Sequence, residues 1–198
     1  MTKKIGLLLL LSIGNFFFSF SQIKKSITTN RISKNITIDA EFDESEWKNA
    51  AIATDFIMFE PDNGKAVDTK KKTEVKILYD DEAIYVGALL YDDEPSKIMK
   101  EITERDDFGT TDAFGIFING YNDGQQDFRF FVTAAGGQLD CLATEQIGED
   151  FSWNGIWSSK VKITTFGWAV EMKIPYAALR FSSENEQTWG LNFVREIK

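Results

Sequence analysis

The chain has 198 residues, 43% hydrophobic and 14% aromatic, enough to fill a core of its own and too apolar for a disordered segment. Its 31 acidic and 22 basic residues give a formal charge of −9, which argues against a nucleic-acid partner. It contains no histidine, so Ser-His and Cys-His nucleophile pairs and all His-ligated metal sites are excluded.

Residues 1–21 read as a secretory signal peptide. Lys3 and Lys4 form its positive start, Ile5 to Phe20 is largely apolar, and Ser19 and Ser21 put small side chains at the −3 and −1 positions. An apolar run of that length is short against the roughly 20 residues of a spanning helix. Cleavage after Ser21 and export to the periplasm, cell surface or medium are therefore expected. Residues 22–34 are polar and basic without periodicity and read as a linker, leaving 35–198 as one domain.

The domain is expected to open with a short strand at Ile36–Ile38. Asp43-Glu44-Ser45-Glu46 has the form of a capping box, predicting a short helix through Ala51 with Trp47 as a core plug. Strand signals then recur at short spacing. Val75, Ile77 and Tyr79 alternate with Glu74, Lys76 and Leu78; a turn at Asp80-Asp81-Glu82 leads into the apolar run Ala83–Tyr91. Lys70–Lys72 reads as a solvated turn, and Pro95–Ile102 holds one helical turn. Strands are predicted at Phe114–Ile118, Phe128–Thr133 and Gln138–Ala143. Val161 to Ile163 and Trp168 to Ile174 form a hairpin around Phe166-Gly167, and Trp189–Ile197 is the last strand. About nine short strands with one or two helical turns predict an all-β, antiparallel, jelly-roll-like sandwich.

No nucleophile elbow, phosphate loop or dinucleotide fingerprint is present, and no particular pair of acids stands out as a glycosidase dyad. A non-catalytic module is expected. Cys141 alternates with apolar neighbours on a strand and reads as a buried structural thiol. The acids near strand ends serve turns and solubility first. Trp153 and Trp157, in the polar segment Asp150–Trp157, are the indoles best placed for a loop surface that stacks on sugar.

Five landmarks then resemble one family in order: Ile38-Asp39-Ala40-Glu41-Phe42 with Trp47; Ala83-Ile84-Tyr85-Val86-Gly87; Asp112 to Ile118; Gly167 to Met172 with Ile174-Pro175; and Trp189 to Arg195. The sequence is similar to family 9 carbohydrate-binding modules, in the form found ahead of an outer-membrane-type β-barrel in larger exported proteins. The resemblance implies a sandwich that grips an oligo- or polysaccharide between aromatic rings, with calcium in a structural role. By that resemblance, Trp157 and Phe108 are the stacking rings, and Asn154 and Arg129 bond the sugar hydroxyls. Trp153 is an added platform, and the loop acids Asp106, Asp107 and Asp112 are candidate calcium ligands. The sequence departs from the sugar binders at Phe108, where they carry Trp, and at Gly115, where they carry a hydroxyl-binding glutamate. The alternative expectation is a structural accessory domain whose partner is the barrel and which binds no sugar.

Overall fold

The computed structural model describes residues 24–198, so the signal peptide expected at 1–21 lies outside the described residues. In chain order the strands are β1 (Asn30–Arg31), β2 (Ile52–Ala53), β3 (Thr73–Tyr79), β4 (Ala83–Tyr91), β5 (Ala113–Asn119), β6 (Gln126–Thr133), β7 (Gln138–Thr144), β8 (Gly148–Asp150), β9 (Ser158–Thr164), β10 (Gly167–Pro175) and β11 (Gly190–Glu196). They form two sheets. In the first, β1 and β2 follow one another along the outer edge of β3, and β4, β10 and β9 complete the order. The second runs β11-β5-β6-β7-β8 and is antiparallel throughout.

The period-2 alternation seen in the sequence sorts side chains between the layers. Val75, Val86, Leu90, Trp168, Val170 and Met172 meet Phe114, Ile116, Phe130 and Val132 in the buried layer between the sheets. Burying side chains of this size contributes about 1.5–3 kcal/mol each before entropy is counted. A second cluster lies on the far side of the first sheet, where Trp47, Ile32 and Ile36 pack on Leu78 and Tyr85. A third covers the far side of the second sheet around Phe131, Leu139 and Cys141.

Three expectations need correction. Residues 30–32 are not linker: β1 pairs with β3, Ile32 is buried, and Thr29 Oγ1 donates to the Ile77 carbonyl at 2.6 Å. The segment 36–38 is not a strand. The capping-box helix shrinks to one turn, α1 (Ser45–Lys48), capped by Glu44 with no side-chain cap bond. The Glu44 carboxylate instead accepts from the Thr37 amide at 2.8 Å, which ties down the preceding loop. Burial of Trp47, rather than helix propensity, holds so short a helix in place.

That loop explains the first landmark. Ala40 and Phe42 both adopt left-handed φ, 64° and 58°, a conformation costing roughly 1–2 kcal/mol for a residue with a Cβ. Glu171 Oε2, from the middle of β10, accepts the Asp39 and Ala40 amides at 2.8 and 2.7 Å and holds the turn closed. Gly87 on β4 leaves room for the rings that follow: a Cβ there would lie 2.2 Å from Phe42 Cε1 and 3.1 Å from Trp47 Cη2.

Candidate functional site

The outer face of the second sheet carries aromatic side chains that are not sealed from solvent. Phe131, on β6, sits over Gly115 of β5, where a Cβ would come within 2.5 Å of its ring. Phe108 and Phe117 pack edge-on against it at 5.1 and 5.6 Å, and Phe151 meets Phe108 at 6.3 Å and 89°. Phe108, Phe117 and Phe151 are each partly exposed. The departure at Gly115 therefore has a structural counterpart, since the volume above it is occupied by a phenyl ring.

Polar groups border this apolar floor. The Arg129 guanidinium lies 4.3 Å over the Phe117 ring and pairs with Glu149 at 2.7 Å and Asp127 at 3.1 Å. Burial would lower its pKa, but the hydrogen bonds it donates to both carboxylates outweigh this and hold the cation more firmly charged. Among the described residues its buried Nε has no hydrogen-bond partner. Beside it, Gln125, Gln126, Asp127, Thr144 and Glu145 line a shallow cleft at the end of β6 and β7. Rings next to fixed donors and acceptors suit a ligand with apolar C–H faces and hydroxyl edges.

The remaining expected site residues lie elsewhere. Trp157 is 7% exposed and sits in the main core, its ring edge-on to Phe130 at 5.4 Å and its Nε1 donating to Asp140 at 3.2 Å. Trp153 packs edge-on to Phe128 and Phe130. Both indoles plug the opening between the layers, so neither shares a face with Phe108 and Arg129. Asn154 stands at the loop surface, its Oδ1 accepting from Arg105 Nε at 3.0 Å. Arg129 and Phe108 are thus brought to one face, and Trp153 and Trp157 to another.

The expected calcium ligands do not converge. Asp106 Oδ1 accepts from the Asp140 amide at 3.0 Å, and Asp107 Oδ1 accepts from the Gly109 amide at 3.0 Å within its own turn. Asp112 is buried at the start of β5, where its Oδ1 accepts from the Lys198 amide at 3.2 Å; burial raises its pKa. Among the described residues no three acids cluster in a way that could hold a metal ion. These three residues do not fit one coordination sphere for calcium, which needs six to eight oxygens.

Sequence reading missed Phe117, Phe131, Phe151, Arg105 and Asp140. The run Phe128-Arg129-Phe130-Phe131 carried a usable signal, since alternation must turn Phe131 away from Phe128 and Phe130. Arg105 and Asp140 carried none, because their partners are distant in sequence.

The profile of the family described as "Carbohydrate family 9 binding domain-like" matches residues 38–195. The chain belongs to this family. Among solved structures, a family 9 carbohydrate-binding module from Caldicellulosiruptor kristjanssonii in complex with cellotriose is similar at a TM-score of 0.60 and 21% identity. The match covers 85% of this chain and 75% of that one. A family 9 module from the same organism in complex with glucose matches at 0.57 and 20%, covering 82% and 76%. Both likenesses show the shared sandwich fold. No curated protein matches the chain. As a family 9 domain it is a carbohydrate-binding module by class.

Proposed function

We propose that this family 9 domain is an exported, non-catalytic module that takes a saccharide on the outer face of its second sheet. The observation that supports it most directly is the juxtaposition of partly exposed Phe108 and Phe117 with the pinned Arg129 guanidinium, on a domain of a carbohydrate-binding family. The relatives of the same fold were solved with cellotriose and glucose, which points to glucose-based oligosaccharides as the first ligands to try. In this reading a sugar ring rests on the Phe108–Phe117 floor while Arg129 donates and Asp127 and Glu149 accept. The leader-like sequence before residue 22 supports export, with assistance to a glycoside hydrolase as its use.

A second reading is favoured by one observation. Trp157, which the resemblance assigns as a stacking ring, is interior, as expected of an accessory domain that supports a membrane barrel and binds no sugar. A glycan array probed with the protein, followed by calorimetry with cellotriose, separates the two. Saturable binding lost on Arg129→Ala supports the module; no binding across the array supports the accessory domain.

A further inference from the structure

Two loops carry the rim of the proposed surface: the segment before β5, with Phe108, and the segment after β8, with Phe151 and Asn154. Neither belongs to a sheet ladder, and both converge on a single buried carboxylate. Asp140, in the middle of β7, is 0% exposed. Its side chain accepts from Arg105 Nη2, from the Gly155 amide and from Trp157 Nε1. Arg105 extends the link, with Nε to Asn154 Oδ1 at 3.0 Å, Nη1 to Gln138 Oε1 at 3.0 Å and Nη2 to the Gly155 carbonyl at 3.3 Å. The first loop is also fastened to β7 directly, because Asp106 accepts from the Asp140 amide and donates its own amide to the Gln138 carbonyl at 3.2 Å. Asp106 reaches this position with a φ of 64°.

A buried carboxylate is retained at a cost unless it is hydrogen-bonded, and here Oδ1 accepts from Arg105 Nη2 and Trp157 Nε1 while Oδ2 accepts from the Gly155 amide. The donors come from both loops and from no other element, so the contacts join the loops to each other as well as to the sheet. We propose that Asp140, acting through Arg105, is the positioning residue that sets the spacing of the two rim loops and thereby the geometry of the ligand surface. This rests on the outer-face reading above. Asp140 itself touches no ligand there, since alternation turns it inward while Cys141 faces out.

Arg105→Gln is the main test, because the Arg105 side chain is 38% exposed and glutamine keeps a donor beside the buried Asp140. Asp140→Asn is the second variant and keeps the shape of the buried group. Amide hydrogen exchange, measured without sugar, should rise at least tenfold in 103–108 and 150–157 of Arg105→Gln while β4 and β10 stay protected. For a wild type that binds cellotriose, affinity of the folded protein should weaken about tenfold, and the melting temperature should fall because buried Asp140 loses its counter-charge, with Arg105→Lys recovering part of both. A merely structural contact would lower the melting temperature and leave the affinity of the folded protein alone, which would overturn the proposal. Unchanged exchange in both loops would also overturn it. If the wild type binds no sugar, the outer-face reading fails, and the exchange measurement by itself decides whether Asp140 and Arg105 couple the loops.

Discussion

Trp157 looks functional in sequence but takes its role from burial, and Glu171 on β10 acts from an equally closed position. Removing the Trp157 ring would leave a cavity beside Phe130 and take a donor from Asp140, a loss of about 3–5 kcal/mol. Trp157→Ala should therefore melt far below wild type, as Trp47→Ala should; a melting temperature close to wild type would show that the ring is not core. Glu171 is fully buried, and desolvation, reinforced by Glu44 and Asp39, raises its pKa against the opposing pull of the two amides it accepts. A carboxyl whose folded pKa lies above its unfolded value favours the folded state when protonated, and that contribution is lost as pH rises through the folded pKa. Glu171→Gln should accordingly gain on wild type as the medium becomes more alkaline. Melting curves from pH 5 to 8 check this, and a pH-independent difference would refute it.

At the level of elements, β11 belongs to the second sheet yet is anchored to the first. Arg195 Nη1 donates to the carbonyls of Lys71 and Tyr91 at 2.9 and 2.8 Å, and its side chain is 5% exposed beside the equally buried Asp92. Desolvation lowers its pKa, so the site holds a cation against the cost of burial. Arg195→Met would strand those carbonyls and reduce the charge balance around Asp92 and Asp112, costing on the order of 3 kcal/mol. Urea titration should show a lower midpoint at an unchanged slope; a wild-type midpoint would mean that Arg195 does not hold the edge. On the opposite side of the first sheet, Gly87→Ala would drive a methyl into Phe42 and Trp47, with an expected loss of about 1–3 kcal/mol in the same assay.

For the molecule as a whole, one aromatic region lies between the layers and another on the outer face of the second sheet. The second carries the partly exposed Phe108 and Phe117 beside Arg129, so on the outer-face reading ligand binding should respond to Arg129 and Phe108 far more than to the buried Trp157. Phe108→Ala is expected to weaken cellotriose binding by on the order of 1 kcal/mol, about fivefold, with a smaller effect on melting than Trp157→Ala. The carboxylates expected to bind calcium are each occupied by amide donors in separate places. A chelator should leave the melting curve unchanged, and a clear shift would reveal a cation held by other ligands.

Much of the fold was legible in the sequence because sheet burial follows a local rule. The Ala83–Tyr91 run, the Val75–Tyr79 alternation and the 166–167 turn appear in the structure almost residue for residue, and the aligned landmarks carried the family. Two-residue strands such as β1 and β2 were not legible, since a pair of residues has no period. The site was half legible. Arg129 and Phe108 do share a surface, but which face Trp157 would take depended on where its loop crossed the sheet edge. That crossing is decided by Asp140 and Arg105, which are brought together from 35 positions apart in the chain. Local pattern therefore determined the strands and the buried layer. The proposed ligand surface was left to tertiary structure, because its geometry rests on contacts between loops whose partners no local period encodes.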